Sequence, residues 1–476
     1  MLLLNKYTGL YTDHYELVMS QGYFLSSKRN TTAGFDYFFR AAPFRGAFAV
    51  FAGLQNMLDL IGKFRFGPEE CNFLAERGFN KEFVNYLSSF RFNGNIYAPA
   101  EGEIVFPMEP IIHVEGSLIE TQLLETLILN TINFETLIAT KANRIRTVAG
   151  DKAVIDFGMR RAQGMGSIQA SRAAIVGGAN STSNVCSAFM YGIPSSGTQA
   201  HSWIQSFDDE LTSFREFARA FPDKCILLVD TYDTLKQGLP NAITVAKEME
   251  KRGDRLIGVR LDSGDLAYLS KKAREKLDEA GLNYVKIVVS NKLDEHVIRS
   301  LREQKAPIDV FGVGTNMITG KDDAALDGVY KMVDCSGKPR LKISNDLEKI
   351  TLPGKKKVLR FFDNDNKFFA DGICLKDEDD CSVIHHPFKP EKYTDITGLR
   401  CEELLQPVMV NGQVVMARKS VQEIADHAAK RQSMLPDEHK RLEFPHIYKV
   451  GISKMLMELR SSIVTEINEK IVRKKE

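Results

Sequence analysis

The chain has 476 residues, too many for one single-core domain and enough for roughly two or three. With 43% hydrophobic and 26% charged residues it has the composition of an ordinary globular protein, and 63 Lys plus Arg against 62 Asp plus Glu leave a formal charge of +1. That near-neutrality excludes a bulk field for nucleic acid or an anionic membrane, whereas a small anionic substrate needs only a few local cations.

At the N-terminus a three-Leu patch gives way to polar and acidic residues (MLLLNKYTGLYTDHYE), so neither a signal nor a transit peptide is expected. No run approaches the ~18 apolar residues of a membrane span. Seven scattered cysteines, without a CxxC pair or zinc-ligand spacing, read as reduced thiols of a cytoplasmic protein. Residues 92–116 are broken by Pro and Gly into short β-like pieces, and 117–149, free of both, read as one long or two abutting helices. Then a grammar repeats: apolar runs ending in Gly, Asp or Ser, usually followed by amphipathic helices. Strands are predicted over 153–156, 174–177, 193–196, 225–230, 256–261, 285–290, 309–312 and 328–333. The second reads equally as a helix end. Helical spacing is clear at Phe214, Phe217, Ala218 and Phe221, at Leu239, Ala242, Ile243 and Ala246, and at Leu266, Leu269, Ala273, Leu277 and Ala280. Past residue 334 come further β-like runs (PRLKIS, KVLRFF, NKFFADGICL) and a charged amphipathic helix from about Ser453.

Alternating strands and helices indicate parallel βαβ units, and about eight in so short a stretch favour a closed β/α barrel over an open sheet. The predicted organisation is α/β: residues 1–130 and 335–476 form one composite α+β domain, and 131–334 the barrel. In either arrangement the site lies at the carboxyl ends of the strands, where Asp156, Asp230, Asp262, Ser290 and Thr315 stand.

Four motifs fall there. RLDSGD (260–265) ends a strand and opens a helix: Gly264 permits close approach, Arg260 offers a planar fork to a phosphate or carboxylate, and Asp262 accepts from sugar hydroxyls. The plain alternative is a helix cap with an incidental ion pair. GVGT (312–315) suits a late-strand phosphate site, or is a simple tight turn. DFGMRR (156–161) puts the stacking face of Phe157 beside Arg160 and Arg161, which read as well as a solvated pair. GTQAH (197–201) sets Thr198 and His201 at i and i+3. With no triad-like acid and serine beside His201, hydrolase chemistry has no support. YTDHY (11–15) by itself is only an element start.

Together, YTDHYELVMSQGYF, FDYFFRAAPFRGAFAVFAGL, IDFGMRRAQG, GGANSTSNV, GTQAHSWIQSF, LLVDTYDT, GVRLDSGDLAYL, IVVSNKLDE, FGVGTNMIT and GVYKMVD, in this order, resemble the nicotinate phosphoribosyltransferase family over about residues 7–360. The resemblance implies an irregular, type II phosphoribosyltransferase-like barrel with a composite domain, assembled as a homodimer. It implies transfer of phosphoribose from 5-phosphoribosyl 1-diphosphate to nicotinate, the first step of NAD salvage from nicotinic acid. Magnesium is the expected cofactor, its ligands unassigned, and ATP the co-substrate, hydrolysed through a phosphorylated histidine. By resemblance His201 is that histidine, Arg260 binds substrate and Asp262 holds ribose hydroxyls, with Ser263 and Gly264 in the same loop. The turn Gly312, Gly314 and Thr315 takes the 5-phosphate. Phe157 and Tyr15, the latter from the neighbouring subunit, sandwich the pyridine; Arg160 neighbours the ring or diphosphate, and Thr198 lines the nicotinate site. Asn180 stands where nicotinamide enzymes carry an acid, and an Asn donor suits a carboxylate better.

Three rivals remain. Nicotinamide or quinolinate enzymes share the mechanism, though quinolinate enzymes are shorter. A phosphate-binding barrel aldolase or isomerase would need a strand-end Lys or base that is not seen. A non-catalytic binding protein would be expected to lack RLDSGD or His201.

Overall fold

A computed structural model describes residues 6–343, 351–379 and 381–473. The three-Leu patch at 2–4 and Ser344, the last residue of PRLKIS, lie outside them. The chain divides into two compact units, residues 1–137 with 325–419 and 426–476, and residues 138–324 with 420–425.

The first unit joins the two ends of the chain in one antiparallel sheet. Thr32–Phe39 (TAGFDYFF), buried along nearly its whole length, pairs with Ile112–Ser117 on one side and Gly328–Cys335 on the other. Phe35 and Tyr330 stack across that second pairing with centroids 4.8 Å apart, a contact that adds ~0.5–1.5 kcal/mol beyond area burial. Asn95–Ala98 and Gln406–Val410 extend the sheet. Gly328–Cys335 covers the run expected as the last barrel strand. Its partners are Thr32–Phe39 from the N-terminal flank and the short Lys338–Pro339, and a short apolar run carries no mark of parallel or antiparallel pairing. A second sheet centres on Phe368–Leu375, antiparallel to Lys356–Phe362 and parallel to Val450–Ser453, and Lys454–Arg473 is the terminal helix. The helices Leu54–Lys63, Pro68–Glu76, Lys81–Ser88 and Val421–Met434 lie outside the predicted elements, and the last of them has a local signal that could have found it. Its signal is a capping box: the Ser420 hydroxyl accepts from Glu423 N–H at 3.2 Å and the Glu423 carboxylate from Ser420 N–H at 2.7 Å.

The second unit is a mixed α/β fold around a parallel sheet. Its strands are β1 (Ala153–Asp156), β2 (Ser181–Thr182), β3 (Ile226–Leu228), β4 (Gly258–Leu261), β5 (Lys286–Ser290) and β6 (Val310–Val313), ordered β2-β1-β6-β5-β4-β3. Every pairing is parallel. Helices Gly166–Val176, Glu210–Ala220, Leu239–Lys251, Leu266–Glu279 and Glu295–Glu303 alternate with them. Val154, Leu227, Val259, Ile287, Val289 and Phe311 are buried, as strands covered by helices require. Two expected strands differ. Residues 174–177 finish the helix Gly166–Val176, the strand following at Ser181, and 193–196 shrinks to one parallel bridge between Ser195 and Thr182. The hydrogen-bonded ladder therefore has six strands among the described residues. No described helix is long and apolar enough to cross a membrane.

Candidate active site

The carboxyl ends of β3, β4 and β5 bring Asp230, Arg260, Asp262 and Ser290 together. Arg260 donates from Nε to Ser290 Oγ at 2.9 Å, Ser290 donates to Asp262 Oδ1 at 2.5 Å, and Arg260 Nη2 reaches the same carboxylate oxygen at 3.0 Å. This triangle holds guanidinium and carboxylate side by side without burying either completely. Beneath it, Asp230 Oδ2 accepts from Asp262 N–H and Ser263 Oγ, both at 2.7 Å, pinning the start of the 262–265 loop. Asp230 Oδ1 is buried without a partner among the described residues. Gly264 has φ +75°, a conformation that favours glycine, and Asp265 caps the following helix through Tyr268 N–H at 3.0 Å. The cap expected of RLDSGD thus exists, but its last residue supplies it, leaving Arg260 and Asp262 for other contacts.

His201 opens the short helix His201–Gln205. Its Nδ1 lies 3.1 Å from Thr231 Oγ1 and its Nε2 3.9 Å from Asp262 Oδ2, and the side chain is 41% exposed, accessible to a reactant. Thr198 donates its hydroxyl to the Ile226 carbonyl of β3 at 2.6 Å, which leaves the oxygen only its lone pairs for any ligand. Gln199, between them, is buried with neither side-chain polar atom partnered among the described residues, while its carbonyl lies 3.5 Å from Arg260 Nη1.

Phe157 is tied to β6 by its N–H to the Val313 carbonyl at 2.8 Å, and Arg260 Cζ lies 5.4 Å from its ring centroid. The first glycine of GVGT has a packing cause: a Cβ at Gly312 would come within 2.5 Å of the Phe157 ring, and one at Gly314 within 3.3 Å of its carbonyl. Thr315, at the start of the four-residue helix Thr315–Ile318, is exposed, as is Arg160 in the turn Met159–Arg161. Asp156 does not face a ligand. Fully buried, it accepts from Gly158 N–H, Ser171 and Thr182, and burial raises its carboxyl above the usual range.

Asn180 is exposed and directly precedes β2. Its Oδ1 accepts Val154 N–H at 2.8 Å, at the second residue of β1, and its own N–H donates to the Val154 carbonyl. That places its backbone two residues short of the level of Asp156 and leaves its side-chain amide N–H groups outside this pairing. A strand only two residues long puts its carboxyl end at Thr182, a placement that composition does not reveal. Tyr15, on the helix His14–Leu25 of the other unit, is exposed. Sequence reasoning put Asp230 and Ser290 at strand ends without assigning them a role, and missed Thr231 and Gln199. Thr231 follows Asp230 directly in LLVDTYDT, which is the one available signal for it.

The chain matches three family models: the nicotinate phosphoribosyltransferase N-terminal domain over residues 10–133, the nicotinate phosphoribosyltransferase family over 153–387, and the corresponding C-terminal domain over 355–460. It is 41% identical to a nicotinate phosphoribosyltransferase of Bacillus subtilis, covering 97% of this chain and 96% of that protein. It is 36% identical to that of Dictyostelium discoideum, over 95% and 87%. Human nicotinic acid phosphoribosyltransferase superposes with a TM-score of 0.85 at 30% identity, covering 95% of this chain and 99% of that one. With three models spanning most of its length and such relatives along nearly all of it, the chain belongs to the nicotinate phosphoribosyltransferase family.

Proposed function

We propose that this chain transfers phosphoribose from 5-phosphoribosyl 1-diphosphate to nicotinate, giving nicotinate mononucleotide and pyrophosphate, with ATP as co-substrate. The observation that carries the reading is the Arg260–Asp262–Ser290 triangle with His201 beside it, at strand ends of a chain that belongs to this family. In the transfer the pyridine nitrogen bonds to ribose C1 as the C1–O bond to the diphosphate breaks, so positive charge grows on the ribose and negative charge on the leaving group. Asp262 accepts from the ribose hydroxyls and faces the growing cationic character. Arg260 offers its fork to the anionic groups in a partly desolvated setting, where such contacts weigh most. Phe157 gives one stacking face, and Tyr15 of the partner subunit in a homodimer gives the other. Thr198 lines the nicotinate site and Arg160 flanks its mouth. Ser263, Gly264 and the turn Gly312, Gly314 and Thr315 receive phosphate groups.

His201 accepts the γ-phosphoryl of ATP on a ring nitrogen as ADP leaves, and Thr231 and Asp262 orient the imidazole between them. No group of three or more metal-binding side chains occurs among the described residues. A magnesium ion that arrives on a diphosphate, however, needs only one or two protein carboxylates. The unpartnered Oδ1 of Asp230 and the partly exposed Asp262 fit that need. When bound, the ion neutralises charge on the leaving diphosphate. The bridge from Ser195 to Thr182 and the Thr198 bond to Ile226 support a segment that joins β2 to β3 and closes the sheet into an irregular barrel.

Pyrophosphate release from 5-phosphoribosyl 1-diphosphate, compared with nicotinate, nicotinamide and quinolinate and with or without ATP, tests the assignment. Release with nicotinate, stimulated by ATP, is the expected result, and release only with nicotinamide would overturn the substrate. His201→Ala should leave a slow, ATP-independent transfer and no ATP hydrolysis; ATP hydrolysis retained by that variant would remove the phosphohistidine role.

A further inference from the structure

The first unit contains a cleft of about 640 Å³ lined by residues from widely separated segments, 40–47, 107–108, 384–394 and 445–451. Its volume falls within the ~300–1,000 Å³ typical of small-molecule sites. The charged side chains that line it are of one sign. Arg40, Lys392 and Lys449 line it, and no carboxylate does among the described residues. Lys392 and Lys449 are exposed, and neither has an ion-pair partner among the described residues. Lys449 Nζ instead lies 4.4 Å from the Phe369 ring centroid. The nearby Asp371 is fully buried and already taken by Arg360 and the Tyr448 hydroxyl, so it does not offset these cations. Burial first, and then Lys389 and Lys392, lower the His386 imidazole below the ordinary value, against the opposing charge of Glu391. A whole-chain charge of only +1 makes this a local arrangement.

The walls are flat and apolar. Phe388 and the rings of Pro107, Pro387 and Pro445 face the cleft. At the rim, Tyr393 is 68% and Ile447 84% exposed, apolar surface in water beside the opening. Ring surface with several cations and no acid is complementary to a planar ligand that carries negative charge.

We propose that this cleft binds a small aromatic anion, a ring system bearing a phosphate, carboxylate or sulfonate group, at a site built from the first unit alone. It uses none of the residues assigned to phosphoribosyl transfer, and because the transfer site takes aromatic anions too, the variants below, which leave that site intact, separate the two. Fluorescence titration of the full chain with anilinonaphthalene sulfonate should reveal a saturable component that belongs to this cleft. The charge reversal Lys392→Glu with Lys449→Glu should weaken binding at least ten-fold. Ala47→Phe, which fills the cleft without changing its charge, should weaken it as much, with Ala47→Leu as the milder filling variant. Phosphoribosyl transfer and the thermal midpoint, followed in parallel, should stay at wild-type values in the lysine variant. AMP and benzoate should displace the dye, and adenosine and benzamide, which lack the charge, should not. Unchanged dye affinity after charge reversal, or equal displacement by adenosine and AMP, would overturn the proposal.

Discussion

Two arginine–carboxylate clusters in this chain use the same chemistry to opposite ends. In the first unit, Arg360 is completely buried. It pairs with Asp371 through Nη2 at 2.6 Å and with Glu103 through Nη1 at 2.6 Å, while Arg431 reaches Glu103 at 2.8 Å. Its guanidinium lies 4.4 Å from the Phe368 ring centroid. Burial alone would raise the Glu103 carboxyl, but Arg360, His427 and Arg431 hold it down at about 2. Beside Asp371, burial and that neighbour's charge push Glu109 well above the carboxylate range. In the second unit, Arg260 and Asp262 are 11% and 28% exposed and share one serine. Asp230 Oδ1 and the Gln199 amide stay unpartnered nearby. Glu109 Oε2 and His427 Nε2 lack a hydrogen-bond partner among the described residues in the first cluster too, but there the guanidinium and its carboxylates are closed off. The second keeps bonding capacity beside a partly exposed Arg260 and Asp262. Arginine and aspartate at a strand end do not identify a site by type; unused bonding capacity that a reactant can reach does.

The largest expected effect breaks the closed cluster. Arg360→Ala strands Asp371 and Glu103 in the interior and should cost ~3–5 kcal/mol of stability, read from the urea midpoint. A midpoint near the wild type's would mean that this network carries no net stability. Arg260→Ala tests the opposite case: kcat/KM should fall ~10²–10³-fold, about 3 kcal/mol in the transition state, with the urea midpoint almost unmoved. If that variant unfolds as Arg360→Ala does, the contrast between the clusters fails.

Acid titration sharpens the comparison. The folded Glu103 value lies below the unfolded one, so its stabilisation is complete above about pH 4.5 and is lost as pH falls toward 2, roughly 3 kcal/mol in all. Urea midpoints measured between those limits should show a shallower slope in Glu103→Gln than in the wild type, and equal slopes would assign the acid sensitivity elsewhere. The smallest effect concerns stacking. Tyr15→Ala should raise KM for the pyridine substrate by ~1 kcal/mol with little change in kcat. An unchanged KM would put Tyr15 outside the site.

Much of the site was legible because its residues are local in sequence. Arg260, Asp262, Ser263 and Gly264 follow one strand, and a strand that alternates with helices exposes its carboxyl end whatever the details of closure. The placement of Asn180 was not legible because a two-residue strand gives no periodicity from which to count its end. Gln199 was passed over because an unpartnered amide is a property of its surroundings. Gly328–Cys335 was read as a barrel strand because pairing direction depends on a partner nearly 300 residues away.

By itself, then, the sequence determined the alternation of strands and helices in the middle of the chain, the polar residues at the strand ends and the family resemblance. Each of these rests on short-range spacing or on motifs of a few residues. The tertiary structure alone decided which strands share a sheet, that Gly312 makes room for Phe157, that Asp156 is spent inside while Asp230 keeps an open oxygen, and that Arg40, Lys392 and Lys449 converge on one cleft. Those outcomes depend on contacts between segments far apart in the chain, and burial and charge pairing are settled only when such segments meet.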